Sequence, residues 1–251
     1  LSLQALGLTP TELAPGPGGL QLAREFFSRA VTPALAFEGG YDGGPLAVLS
    51  QALVAAFHTV KFAAAALSLA LVGGVLLGLL GSPGVSRDPR WRLVVVPVRL
   101  LTALMRSVHE LLWAVLLLAA LGTDPLVAVV AIAIPYAGTL AKVFAEMLDE
   151  APRGAALALE AGGATTGQRF LFGLVPQALP DMTAYTFYRF ECALRSSAVL
   201  GFFGFPTLGY HLAASFENLH YGDVWTYIYV LFLLVLAADW WSGRLRREVL
   251  A

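Results

Sequence analysis

The stretch YRFECALRSS, Tyr188 to Ser197, sets Arg189, Glu191 and Arg195 inside a long apolar run. Ionised groups so placed do one of two things: they neutralise one another and fix how helices pack, or they line a water-filled route and compensate a passing ion. A charged side chain at a bilayer centre costs about 2.5–3.5 kcal/mol on insertion scales, so either role demands a partner. Glu191 and Arg195 stand four apart, the spacing at which helical side chains meet, and can pair directly. Arg189 is then left needing a partner, with Glu110, itself four from Arg106, and Asp239 as the candidates. Arg106, His109, Glu110, Arg189, Glu191, Arg195 and Asp239 are therefore the candidate translocation-path or intramembrane ion-pair residues. A basic member without a counter-ion would suit an oxyanion.

Other chemistry finds less support. The single cysteine, Cys192, excludes an intrachain disulfide and forms no zinc pattern with the four histidines, so neither metal nor cofactor is expected in this chain. No nucleophile elbow, H-E-x-x-H helix or facing pair of aspartates argues for an enzyme. GGATTGQR, Gly162 to Arg169, imitates the glycine spacing of a phosphate-cradling loop, but Gln168 replaces its lysine and no strand precedes it. His58 and Lys61 read as snorkelling at the outer end of a span. His211 and His220 read as solvated or in contact with a partner. Trp225, Tyr227 and Tyr229 at one end of the last span, with Trp240 and Trp241 at the other, read as interfacial belts.

The elements that carry these residues follow from composition. The chain of 251 residues is 58% hydrophobic and 13% charged, with mean hydropathy +0.72, far from a soluble domain's usage. It reads as an all-α polytopic membrane bundle. Net charge −1 gives no basic field for nucleic acid. About 20 helical residues cross a hydrocarbon core, which marks His58–Leu80, Arg92–Leu121, Leu126–Met147, Ala178–Leu200 and Val224–Trp240 as five spans. Gly74 and Gly78 give the first a close-packing face. Arg87, Arg90 and Arg92, then Arg153 and Arg169, then Arg244, Arg246 and Arg247 mark three segments as cytoplasmic, the carboxyl terminus included. Residues 1–57 then lie outside, with Pro15 to Gly19 as a loop and Leu20 to Ala30 as an amphipathic surface helix ahead of Pro33. The opening residues lack the basic region and apolar run of a signal peptide, so the expectation is a truncated start or one beyond the bilayer. Gly201, Gly204 and Gly209 around Pro206 form either a tight outer loop or a hinged, gate-like segment.

Between the third and fourth spans, residues 149–176 are far longer than a connection needs. Ala155 to Ala161 favour a helix, Gly162 and Gly163 break it, and Gln168 to Val175 begin a second short helix before Pro176. The spacing of Gly163 and Pro176, with Ala158 ahead and Val175 before the proline, resembles the EAA coupling loop of ABC importer permeases. Leu157 stands at that loop's glutamate and Gly173 at its isoleucine, while Glu160 lies three residues on. RSVHELLWAVLLLAALG, GATTGQRFLFGLVPQALP, YRFECALRSSAVLGFFG and ADWWSGRLRR together look like the phosphonate-type permeases over roughly residues 50–251, with His109 where that family commonly has proline. The family commonly has one earlier span, so the bundle is expected to have five spans or six.

The resemblance implies a type I importer permease in the cell's inner (plasma) membrane, a permease domain over 58–251. It implies a coupling loop of Leu157, Ala158, Glu160, Ala161, Gly162, Gly163, Ala164 and Pro176 that docks an ATP-binding subunit, two copies per homodimer, on which ATP and Mg sit. It further implies an extracytoplasmic substrate-binding protein and import of phosphonate, phosphite, phosphate or a similar oxyanion. Import of another solute such as an amino acid is the neighbouring reading. An ion-coupled secondary transporter with Glu191, Arg195 and Asp239 as a proton relay is the distant one, set back by the absence of an internal repeat.

Overall fold

A computed structural model describes residues 17–39, 44–85 and 89–250. Residues 1–16, with Pro15 and Gly16 of the expected outer loop, and Arg87 of the first basic turn lie outside the described residues. The elements in chain order are α1 (Pro17–Arg29), α2 (Ala47–Gly81), α3 (Arg92–Ser107), α4 (Glu110–Leu121), α5 (Pro125–Glu150), α6 (Gly154–Ala161), α7 (Val175–Val199), α8 (Leu208–Glu217) and α9 (Tyr221–Leu250). No strand occurs among the described residues. The end of the bundle that carries α6 is its base, and the end that carries α8 is the far end.

By length and composition, α2, α5 and α9 can each cross a membrane, and the crossings number up to five if each of two bent helix pairs is one span. One departure from the sequence reading is that Arg92–Leu121 is not a single straight span. It breaks between α3 and α4 with a bend of 88°, because Val108 and His109 are both extended and His109 caps α4 by accepting from the Leu111 N–H. Alone, α4 has 12 residues, too few to cross. The second departure is that α2 begins at Ala47, so His58 and Lys61 lie inside a 35-residue helix, with the Lys61 ammonium over the Phe57 ring.

The core sits on α5, which packs against α2, α3, α4 and α7. Small residues set the distance. Ala63, Ala66 and Ala70 of α2 are fully buried, and a Cβ on Gly74 would meet Leu140 Cβ at 2.6 Å, while one on Gly78 would meet Phe144 Cβ at 3.1 Å. The close-packing face expected of Gly74 and Gly78 is therefore turned onto α5. Gly138 does the same on the other side of α5, against Met105 and Thr102 of α3. Without a hydrophobic drive between helices in lipid, this backbone proximity supplies the dispersion that holds the bundle.

At the amino-terminal side, α1 is fastened to α9. Trp225 Nε1 donates to the Phe26 carbonyl at 2.7 Å, Tyr229 Oη to the Ala30 carbonyl at 2.7 Å, and Glu38 accepts from the Gly222 N–H at 3.1 Å. Trp225 and Tyr229 thus hold a neighbouring segment, and Tyr227, read with them as an interfacial anchor, is instead buried and donates to Gln51 Oε1 at 2.6 Å.

Candidate functional site

At the base, α6 is a two-turn helix whose single buried residue is Ala156. Leu157, Ala158 and Ala161 face outward. Its ending shows why the glycines are there: the Gly163 N–H bonds the Glu160 carbonyl and the Ala164 N–H the Leu159 carbonyl, with Gly163 at φ 83. That is the paired closure of a helix terminus in which a left-handed residue is required, and glycine adopts it without steric cost. Thr165 and Gln168 then form a reciprocal capping box. The glycine spacing that imitated a phosphate loop is thus a helix stop followed by a helix start.

The next helix does not end before Pro176, contrary to the sequence reading. Thr166–Gln168 leads into a π-helical turn, Arg169–Leu174, and this continues through Pro176 into α7 without a break. Proline has no N–H to donate and is tolerated in a first turn, where the wider π turn already rearranges the ladder. Gly173 in that turn approaches Ala156 so closely that a Cβ would lie 2.8 Å from Ala156 Cα. The departure from the family's isoleucine is therefore a backbone-on-backbone contact that seats α6. Arg169 closes the other side by pairing with Glu160 at 2.6 Å. The two helical parts form one braced unit around a cleft of about 340 Å³ that also touches Pro83, Gly84 and Asp149.

Asp149, unmarked by the sequence reading, lines this cleft and ties the end of α5 to the turn after α2 and to α3. It accepts from Ser82 Oγ at 2.7 Å, from the Gly84 N–H at 3.4 Å and from Arg99 Nη2 at 3.2 Å, while Arg99 Nε donates to the Gly81 carbonyl at 2.9 Å. The signal was present in Arg99, a cation within a membrane helix that needed a carboxylate.

The intramembrane charges pair differently from their sequence spacing. Glu191 does not bond Arg195; it takes Arg246 of α9 at 3.4 Å, and Arg246 also reaches Asp239 at 3.8 Å. Arg195 stays exposed and donates to Cys192 Sγ at 3.6 Å. Arg189 meets neither Glu110 nor Asp239. Its guanidinium lies over the Tyr136 ring at 4.5 Å and near Tyr185 at 5.9 Å, and its Nε is buried without an acceptor. Glu110 accepts from Ser196 Oγ at 2.9 Å, and Ser196 also contacts Tyr136 Oη at 2.9 Å. Helix-break geometry explains the change: with α4 turned away from α3, Arg106 stays exposed at the end of α3 while Glu110 swings onto α7. His109, next to it, lies 3.7 Å from Glu110. Tyr136 and Ser196 were missed because an uncharged hydroxyl in an apolar run gives no signal of what it will meet.

At the far end, Gly201 and Gly209 press on backbone. A Cβ on Gly201 would overlap Gly209 and Tyr210, and one on Gly209 would overlap the Ala198 carbonyl, while Gly204 is left-handed at φ 89. The stretch after Gly204 is a short helix, α8, rather than a loop, bent by 47° from α7. Thr59 joins this corner to α2, accepting from the Leu208 N–H at 3.1 Å and, through its carbonyl, from Ser197 Oγ at 2.9 Å.

The family described as binding-protein-dependent transport system inner membrane component matches residues 70–250. The phosphite transport system permease protein PtxC of Stutzerimonas stutzeri is 29% identical over 190 residues, 76% of this chain and 68% of that one. The phosphate-import permease protein PhnE of Mycolicibacterium smegmatis is 29% identical over 195 residues, 78% of this chain. HtxE of Stutzerimonas stutzeri is 34% identical over 148 residues, 59% of this chain. The matched region spans 57% of HtxE and 36% of PhnE, so the match covers somewhat over half of the first and about a third of the second. Two solved structures share the fold, each covering 80% of this chain at a TM-score of 0.68. An amino acid ABC transporter with histidines is 17% identical and covered over 94% of its chain. The MetNI methionine ABC transporter in an inward-facing conformation is 21% identical and covered over 97%.

Proposed function

Because this chain belongs to the family of binding-protein-dependent transport system inner membrane components, we propose that it is the translocation subunit of an ATP-driven importer for phosphite, phosphate, phosphonate or a similar oxyanion. The relatives named for phosphite transport and phosphate import support the substrate class. The observation that carries the mechanism is the braced unit at the base, where Arg169–Glu160 and the Gly173–Ala156 contact hold α6 rigid while Leu157 faces outward. A rigid short helix is what a motor can grip, since closure of an ATPase dimer then becomes a rigid-body tilt of the attached spans. Each of two copies of this chain docks one cytoplasmic ATP-binding subunit, which holds ATP and Mg, and together they receive a loaded binding protein. The base is cytoplasmic in this reading, as is the carboxyl terminus, and the segment carrying α1 lies outside. Leu157, Ala158, Glu160, Ala161, Gly162, Gly163, Ala164 and Pro176 belong to the coupling element. Arg189 is the basic member of the path, and Gly201, Gly204 and Gly209 shape its outer mouth.

The test is co-purification with an ATP-binding subunit, followed by ATP hydrolysis with binding protein and phosphite, phosphate or a phosphonate. Stimulation by these oxyanions and not by amino acids is expected; stimulation by an amino acid alone, or a partner that never binds, overturns the reading. Gly163→Pro, which places proline at a left-handed residue whose N–H is bonded, should abolish uptake while the protein still inserts in the membrane.

A further inference from the structure

Toward the base, the open face of α5 carries Lys142, Glu146 and Glu150 where a membrane-facing surface would be apolar. Lys142 and Glu146 are 41% and 50% exposed and joined at 2.9 Å, within a helix whose other faces are mostly buried. Charges at that depth face water or protein rather than lipid. Glu150, one turn beyond Glu146 on the same helix, lines a cavity of about 590 Å³ with Asp181, Tyr185, Tyr188 and Arg246, and the Tyr185 ring lies 5.9 Å from the Arg189 guanidinium. Because α5 runs toward the base, Lys142 stands one turn further from the base than Glu146.

We propose that Lys142 is a second cationic station on the oxyanion path, in addition to Arg189, and that Glu146 holds its ammonium only while no anion is there. This rests on the reading of the chain as an oxyanion permease. The pair suits exchange. Lysine precedes glutamate at i,i+4, the weaker of the two orders on a helix. Half-exposed pairs are screened and contribute little stability. An ammonium is a compact point charge with three donors that can turn from a carboxylate to a phosphate-like oxygen. Arg189 cannot turn in this way, its guanidinium being held over the Tyr136 ring.

The experiment reconstitutes this chain with its ATP-binding subunit and binding protein in vesicles and measures labelled inorganic phosphate moved per ATP hydrolysed. Lys142→Gln should lower that ratio about tenfold with binding-protein-stimulated hydrolysis retained, and Lys142→Arg should stay within about twofold of wild type. Glu146→Gln, which frees the ammonium, should raise the ratio about twofold. A pair that only packs helices would make both glutamine variants fall together, in hydrolysis as well as transport, and that outcome overturns the proposal. So does a Lys142→Gln ratio equal to wild type. If Lys142→Gln does not assemble, Glu146→Gln decides alone, and a ratio at or below wild type rejects the assignment. A wild-type complex that moves no phosphate, phosphite or phosphonate sinks the parent reading instead, before any variant is compared.

Discussion

At the far corner, Thr59, Ser197 and Thr207 are fully buried and bond backbone groups of other segments, and Gly201 and Gly209 touch backbone directly. At the base, the tie of α5 to α3 runs through side chains that remain partly open to solvent: Arg99 at 50% and Asp149 at 28%. A buried bond to backbone cannot be exchanged for water without leaving an orphaned donor or acceptor, so the far corner is built to stay as it is. Half-exposed ion pairs trade partners with water at little net cost, so the tie between α3 and α5 can be re-set when something pulls on it. Gly173 is the exception at the base. There α6 meets its brace backbone to backbone, which makes the short helix and the start of α7 move as one body.

The contrast can be broken from either side. Gly201→Val should be the most damaging change, since its side chain overlaps Gly209 and Tyr210; a loss of more than about 4 kcal/mol is expected, read as collapse of the monodisperse fraction in detergent. Gly173→Leu comes next and acts on function more than on folding. Pushed off Ala156, α6 should lose its seat, with uptake down by at least about tenfold at near-normal membrane abundance. If abundance falls as far as it does for Gly201→Val, the base is as rigidly built as the far corner and the contrast fails. Thr59→Val orphans the Leu208 N–H inside the protein and should cost about 1–3 kcal/mol, seen as a lowered thermal midpoint that salt does not change. Asp149→Asn should cost least, under about 1 kcal/mol, because Arg99 is half exposed and asparagine still accepts from Ser82; its effect should shrink further at high salt, as a screened pair requires.

Much of this was legible in residue order alone. Hydropathy runs gave the helical membrane bundle, Gly74 and Gly78 gave a packing face, and Gly162–Gly163 gave the stop of the short helix, since each of these depends on the local chain. The spacing rule failed for Glu191 and Arg195. A four-residue interval makes a pair available, but Arg246, 55 residues away in sequence, competes for the same carboxylate. Pro176 misled for a related reason. Proline forbids one hydrogen bond, and a π turn upstream absorbs the loss, which a rule for regular helices does not foresee.

The sequence by itself determined that this chain lives in lipid, which stretches are apolar helices and which glycines end or pack them, because the cost of an unbonded peptide in hydrocarbon is fixed residue by residue. Tertiary structure alone decided which charge meets which. It turned Glu110 onto Ser196, laid Arg189 over Tyr136 and left Lys142 and Glu146 on an open face. Electrostatic partners are chosen by distance in space and by what is shielded from water, and a broken helix or a late-arriving arginine changes both without altering a single local preference.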